Sequence, residues 1–430
     1  MIGAVKFACR RRSLVVKAGH VGRSGRFIET AHVGQHALAA TFGECAVADA
    51  AAAWRRGPAS AVTQRWLRGR AAHAPEPPSV VVLTTRQPAL LAAFELEVAE
   101  AYADVSSVSE GVFVARSFAH RARLLQLTCL RAELDPLACG ATADELLADV
   151  ATLDFDALGV AHAAALLDFE HVHERRGSLA GRLSSVALRA RLGDAMRRPM
   201  CNSPSLAAVD ALRFAVVETD WGLLFGVVRF APPSASAAPS AWASKPKNYC
   251  AGLPFELAAL GVSIATQLQP DNRTLVDPCS GAGTVVYAAL CAGVSAACGV
   301  EIEASLTAMA GDNIAACGRA IDASRRRAGL GGSPPPVAKL ECADSFSVRH
   351  DADAIVCNLP FGRVTGVIGS TDEASGATLA GLLEWLRPQA KRHVFFTGAP
   401  VGDTLRRLGF TNVKEVSVDT MNRRYMAVCG

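Results

Sequence analysis

The segment Ile355-Val356-Cys357-Asn358-Leu359-Pro360-Phe361-Gly362 joins an apolar run to groups that can handle a planar amine. The Asn358 side-chain oxygen and the Leu359 carbonyl can both accept hydrogen bonds from one exocyclic NH2 group. Pro360 has a fixed φ and stiffens the loop, so those acceptors stay aimed. Phe361 offers a face on which a base can stack. Three segments upstream could serve a ligand beside it. Asp277-Pro278-Cys279-Ser280-Gly281-Ala282-Gly283-Thr284 carries two glycines that let the backbone approach a ligand closely. Val286 stands where a dinucleotide fingerprint has its third glycine. Glu301, in Gly299-Val300-Glu301-Ile302-Glu303, follows Asp277 by 24 residues and can accept both hydrogen bonds from ribose hydroxyls. Asp344, in Cys342-Ala343-Asp344, can accept one from an adenine amino group. Each motif alone also reads as a tight turn or a solvated acid. Their order, each at a strand end, weighs against that plainer reading.

The elements that must position these residues alternate regularly. Strand 274–276 leads to a predicted helix over 283–292, and strand 297–302 to a helix over 304–317. Strands 337–341 and 354–357 follow, then a helix over 378–390, a strand over 392–397 and a helix over 401–409. Two last strands, 413–418 and 424–429, can form a hairpin. Such alternation specifies an α/β fold, a doubly wound and mostly parallel sheet covered on both faces, here with a C-terminal antiparallel hairpin. Gly329–Pro336, with three successive prolines, reads as a surface loop within it.

The 430 residues are half hydrophobic, with a mean hydropathy of +0.23. That excludes a mostly disordered chain, and no apolar run reaches the ~18 residues of a bilayer span, so no membrane partner is expected. The thirteen cysteines include no Cys-x-x-Cys, and His171 and His173 have no partners at finger spacing, so no metal is expected. The net charge of +4 is uneven: residues 1–75 carry twelve Lys/Arg against three Asp/Glu, residues 76–243 carry 14 against 20, and residues 244–430 carry 18 against 17. Residues 1–28 hold seven Lys/Arg and no acid, as in a transit peptide or an unstructured basic leader. Residues 1–78 therefore read as a basic Ala/Arg-rich leader closed by Pro75-Glu76-Pro77-Pro78. The expected location is cytoplasmic, or a mitochondrion or plastid if the leader is an address. Residues 79–230 mix strands (80–84, 112–114, 164–173, 209–217, 221–230) with helices (89–101, 118–132, 142–150), an α+β domain. Residues 231–246 contain the low-complexity run Pro232–Ser240 and read as a linker with nothing to bury. Residues 247–430 are the alternating domain.

Taken together, the four motifs resemble those of Rossmann-like, class I, S-adenosylmethionine-dependent methyltransferases of the amino-group type. Asn358-Leu359-Pro360-Phe361 is similar to that family's (Asn/Asp)-x-Pro-(Tyr/Phe) motif. Lys247-Asn248-Tyr249-Cys250-Ala251-Gly252-Leu253-Pro254-Phe255-Glu256-Leu257-Ala258 resembles the segment before the catalytic domain in THUMP-containing RNA guanine-N2 methyltransferases, and Asp210 to Phe230 resembles the closing strands of a THUMP domain. The chain departs from the family pattern at Asn358, often Asp there, and at the shifted Cys279 and Ser280. The resemblance implies S-adenosylmethionine as cofactor, bound by Asp277, Ser280, Gly281, Gly283, Thr284, Glu301, Asp344 and Asn358. It implies Asn358, Leu359, Pro360 and Phe361 as the catalytic loop. The implied reaction methylates the exocyclic N2 of a guanosine in structured RNA, typically tRNA. A small zinc-binding activator subunit is an implied partner.

A THUMP domain binds RNA. Residues 171–200 hold seven arginines against Glu174 and Asp194, a net +5 within an acidic region. Of these, Arg175, Arg176, Arg182 and Arg189 are the expected phosphate contacts, which position RNA without reading its sequence. A solvated arginine-rich helix face is the plainer alternative. The same catalytic loop would also suit a guanosine of U6-type small nuclear RNA, adenine N6 in RNA or DNA, or a protein glutamine. An alternative of another class is a degenerate, non-catalytic RNA-binding subunit, against which the intact Asn358–Phe361 motif and both loop glycines argue. A dehydrogenase would need the missing third glycine and has no use for the Asn-x-Pro-Phe loop.

Overall fold

The computed structural model describes residues 5–9, 12–16, 79–85, 87–116, 124, 126–153, 165–170, 185–196, 200–201, 213–219, 222–230, 237–249, 252–270, 273–331, 334–360, 379–419 and 424–430. Within the basic leader, Val5–Cys9 (β1) and Arg12–Val16 (β2) pair as an antiparallel hairpin, with Val5 opposite Val16. The rest of the leader lies outside the described residues.

Residues 79–230 build one eight-stranded sheet. Its strands are Ser79–Thr84 (β3), Ala103–Ser109 (β4), Val112–Arg116 (β5), Leu130–Gly140 (β6), Ala165–Glu170 (β7), Met200–Cys201 (β8), Arg213–Thr219 (β9) and Gly222–Phe230 (β10). They lie in the order β4-β5-β3-β6-β10-β9-β7-β8, antiparallel except where β7 meets β8 and β9. Helices Leu91–Ala101 (α1), Ala143–Ala151 (α2) and Ser185–Ala195 (α3) accompany it. Thr142 caps α2 by accepting the Glu145 N–H at 3.2 Å. The helix expected over 118–132 is corrected at its end, where Leu130–Ala132 open β6. This strand is central, held between β3 and β10, and the two ladders override a locally helical composition. Pro136 sits inside it opposite Gly226, where the register against β10 slips. A side chain at Gly226 would collide with the Asp135 carbonyl.

The second sheet comprises Thr274–Asp277 (β11), Ala296–Glu301 (β12), Val337–Cys342 (β13), Ala352–Asn358 (β14), Ala390–Thr397 (β15), Lys414–Asp419 (β16) and Arg424–Cys429 (β17). The order is β13-β12-β11-β14-β15-β17-β16. The first five strands are parallel, and β17 runs antiparallel to β15 and β16, as the expected hairpin. This is the Rossmann-like arrangement. Alternate residues enter opposite layers. Leu275, Val356 and Phe396 face helices Phe255–Ala265 (α5) and Thr284–Ala292 (α6), while Val276, Ile355 and Phe395 face Leu379–Leu386 (α9) and Gly402–Arg407 (α10). Ala304–Ala316 (α7) and Gly318–Arg327 (α8) also accompany this sheet. The helix α5 escapes a periodicity reading because it is buried almost all round, from Leu257 to Ala265.

The segment read as a linker is corrected in its described part. Ala237–Ala243 forms a helix (α4), and Trp242 is only 4% exposed, stacked on Tyr287 at 4.5 Å. Moreover, one apolar cluster contains Val80, Phe94 and Val98 of the first sheet's layer together with Leu257, Leu260 and Phe396 of the second. Polar groups cross the same boundary. Glu97 of α1 accepts the N–H groups of Thr128 and Cys129 at 2.9 and 3.0 Å, and also the Ser263 hydroxyl of α5. Arg392 pairs with Glu100.

Candidate active site

The strand order reverses at β11, whose neighbours are β12 on one side and β14 on the other. The crevice outside such a switch point is where open α/β sheets bind ligands. Asp277 ends β11 and Asn358 ends β14, so the first and fourth motifs flank this crevice.

Asp277 is 2% exposed, and its Oδ1 accepts the Cys279 N–H at 3.2 Å. Burial raises its carboxyl pKa to about 7; the Cys279 N–H pulls down, and the negative charge of Glu301 pushes up. Gly281 and Gly283 have φ of +50° and +87°, which glycine adopts at little cost. Gly283 caps α6, and a Cβ there would stand 3.0 Å from Ala310 Cβ. The buried Ser280 donates its N–H to the Val300 carbonyl of β12 at 2.9 Å, and Thr284 opens α6, also buried.

Glu301 reaches back to this loop. Its Oε2 accepts the Gly281 N–H at 2.9 Å and its Oε1 accepts the Glu303 N–H at 3.1 Å. Each carboxylate oxygen keeps a second lone pair for a ligand hydroxyl. Asp344 is exposed and folds its own loop, with Oδ1 accepting the Phe346 N–H at 3.0 Å. The neighbouring Ser345 hydroxyl donates to the Pro278 carbonyl, which ties the Asp344 loop to the glycine loop. Asn358 is half-buried. Leu359 is 1% exposed and donates its N–H to the Phe396 carbonyl at 2.9 Å, fixing the strand end that Pro360 follows. Phe361 lies outside the described residues. The Cys357 thiol lies against Asp277 and Cys279, and burial pushes its pKa well above the usual range. Such a thiol is a small apolar filler, not a nucleophile.

The eight residues of the expected cofactor set, Asn358 among them, thus share one edge. Of the arginine set, Arg175, Arg176 and Arg182 lie outside the described residues. Arg189 is half-buried on α3, and its neighbour Arg191 pairs with Asp144 of α2 at 2.7 Å.

Sequence reading missed Asn313 of α7. It is fully buried, its Oδ1 accepts the Lys247 N–H at 3.0 Å, and its Nδ2 donates to the carbonyls of Lys247 at 3.0 Å and Ala282 at 3.4 Å. The available signal was its place on the stripe Leu306, Ala310, Asn313, Ile314, where a buried amide must find partners.

Among the described residues no helix is long and apolar enough to cross a membrane. No protein-family model and no curated protein matches the sequence. Solved structures do. TrmN from Thermus thermophilus overlays at 16% identity and a TM-score of 0.42, covering 82% of this chain and 98% of its own. A predicted N6-adenine-specific DNA methylase from Listeria monocytogenes overlays at 15% identity and 0.41, covering 81% and 95%. An RNA methyltransferase from Salinibacter ruber, in complex with S-adenosyl-L-homocysteine, overlays at 16% identity and 0.26, covering 41% and 92%. The strand order and core layers, not these loose overlays, carry the fold.

Proposed function

We propose that this chain is an S-adenosylmethionine-dependent methyltransferase that modifies an exocyclic base amine in structured RNA, with guanine N2 in tRNA as the finer reading. The observation that supports it most is the shared edge. A glycine loop with two left-handed glycines, a carboxylate hydrogen-bonded to that loop, and an Asn-Leu-Pro strand end flank one topological switch point. These residues fit the cofactor. The glycine loop would take its methionine part, Glu301 its ribose and the Asp344 loop its base. When bound, S-adenosylmethionine supplies an electrophilic methyl on a sulfonium sulfur.

The chain's own residues do the rest by positioning. The Asn358 side-chain oxygen and the Leu359 carbonyl accept the two N–H groups of the target amine. That turns its lone pair outward and stabilises the positive charge that develops on nitrogen. The buried Leu359, anchored to Phe396, keeps the acceptors from drifting. No strong base is needed, since a methylated amine cation loses its proton readily. A base in a helix must leave the stack to reach the site, and Phe361 is assigned to hold it there. The residue 79–230 body is read as the THUMP-like RNA-binding part, with the arginine island as its phosphate contact. A zinc-binding activator subunit belongs to the same reading by resemblance only.

Mass spectrometry of nucleosides after incubating the full chain with S-adenosylmethionine and a tRNA pool tests this. A rise in N2-methylguanosine is expected. A rise in N6-methyladenosine would move the assignment to the adenine alternative. Cofactor binding with no methylation of any RNA would favour the non-catalytic reading.

A further inference from the structure

The first sheet has two apolar faces, and the described helices contribute to only one of them. Val80, Val82 and Phe113 share a cluster with Phe94 and Val98 of α1, and Phe214, Val216 and Phe225 share one with Leu146 of α2 and Leu188 of α3. Alternation along the strands sends the neighbouring residues to the opposite face. There Val114, Leu83, Leu134, Leu224 and Val217 stand on five adjacent strands, β5-β3-β6-β10-β9. Each is 0% exposed. Yet every described member of this cluster comes from a strand, and none from a helix. The side chains of a sheet face become inaccessible only when a second layer lies over them. The shielding arises within one chain, so that layer is not a second copy.

The size of the face limits what can supply the layer. Neighbouring strands lie ~4.8 Å apart, so five of them span about 19 Å. A helix is about 10 Å wide, so two are needed side by side. Within 79–230 the stretches outside the described residues run to at most 14 residues, each tethered at both ends. None of them can hold two helices of three turns, at ~3.6 residues a turn. Residues 361–378 follow β14 and lead into α9, in the domain of the other sheet.

The stretch before β3 has both the length and the pattern. The chain divides into two compact units, Met1–Thr41 and Phe42–Gly430, so residues 42–78 belong to the unit that holds this sheet. They run directly into Ser79, the first residue of β3. Val47, Ala50, Ala51 and Trp54 recur at the spacing i, i+3, i+4, i+7 of one helix face, with Asp49 and Arg56 opposite. Ala59, Val62, Trp66 and Leu67 recur at i, i+3, i+7, i+8, with Gln64, Arg65 and Arg68 opposite. Between the two stripes stands Gly57-Pro58, a glycine suited to end one helix and a proline suited to open the next.

We propose that residues 44–69 fold as two amphipathic helices, broken at Gly57-Pro58, that lay Val47, Trp54, Val62 and Trp66 on the second face of the first sheet. The cover is a structural part of the sheet's body, so any removable address must end before it. This inference is independent of the chain's reaction. It also carries five arginines, with no acid between residues 50 and 75, onto the body that the proposed function assigns to RNA.

Hydrogen exchange of the full chain, read by mass spectrometry, tests the cover first. The amides of 47–56 and 62–69 are expected to exchange at least about a hundredfold more slowly than an unstructured chain. Exchange at the unstructured rate would overturn the proposal. A photoreactive benzoylphenylalanine in place of Trp54 or Trp66 keeps an aromatic side chain and identifies the surface beneath it. Adducts to β3, β5, β6, β9 or β10 are expected at both positions. Adducts confined to α1, α2, α3 or another copy, or none at all, would overturn the placement. Trp54→Asp combined with Trp66→Asp should speed exchange about tenfold or more in β3 and β9 as well as in the segment. Faster exchange in the segment alone would show that it folds without covering the sheet, and would equally overturn the placement. If that charged double variant does not fold, the parent's exchange and the adducts decide.

Discussion

The two sheets use their strand ends differently. In the seven-stranded sheet, five parallel strands present their C-terminal ends at one edge, so residues 277, 281, 301, 344 and 358 converge although 81 positions separate the first from the last. In the eight-stranded sheet, antiparallel pairing sends successive loops to opposite ends, and no comparable convergence of polar groups appears among its described residues. Its charged groups are spent on structure instead. Glu133 accepts the Tyr102 hydroxyl at 2.5 Å and pairs with Arg229 at 3.3 Å, while Glu97 serves the boundary with α5. Parallel topology gathers polar groups at one edge, whereas antiparallel topology here spends them on structure; under the proposed function, RNA recognition by the first sheet would rest on a local patch.

The largest expected effect probes the strain held at the convergent edge. The Asp277 carboxyl keeps its proton to about pH 7 when folded, against about 3.9 in an unfolded chain. Between those values the folded state binds more protons, so stability is full below about pH 4 and is lost as pH rises to about 7, by up to about 4 kcal/mol. Asp277→Asn should flatten that slope in urea titrations at pH 5 and 8. An unchanged slope would show that the edge stores no such cost. His393 gives the opposite trend. Burial lowers its pKa to about 4, so it contributes stability that falls as pH drops from about 6.5 to 4, and comparing the variant with its parent separates the two.

Next in size is the shared core. Glu97→Ala should cost roughly 3 kcal/mol, since the amides of Thr128 and Cys129 lose their acceptor in a buried place. Hydrogen exchange should then show reduced protection in β6 and in α5 together. Loss confined to β6 would break the picture of one core joining platform and catalytic sheet.

How much of this was legible in the sequence differs between the sheets for the same reason. The strands β11, β12 and β14 are short, mostly apolar runs that end in the motif residues Asp277, Glu301 and Asn358, and their ends needed no long-range information. The loop glycines, Glu301 and the Asn358 loop could therefore be placed at strand ends directly. By contrast, β6 contains Pro136 and begins with helix-compatible residues, and only its two neighbours make it a strand. Trp242 sits in a Ser/Pro/Ala-rich stretch that composition marks as linker, and its burial depends on Tyr287, 45 positions away. Asn313 is likewise silent until Lys247 and Ala282 are beside it.

A smaller effect should separate recognition from platform. Charge reversal at Arg182 and Arg189 is expected to weaken tRNA binding and to flatten its dependence on salt by about one unit of slope per lost phosphate contact. Unchanged affinity and slope would remove the arginine island from the RNA-binding reading. The smallest effect is at Arg191, whose ion pair with Asp144 is exposed. Arg191→Ala should change stability by no more than about 0.5 kcal/mol, and a larger loss in thermal melting would make the island structural.

The most direct test of the convergent edge is the Asn358→Ala chain, assayed for cofactor binding by calorimetry and for methyl transfer from labelled S-adenosylmethionine to tRNA. The expected result is binding close to that of the parent with transfer reduced by roughly a hundredfold or more. Transfer that persists at the parent rate would contradict the assignment of the Asn358 loop as the catalytic centre.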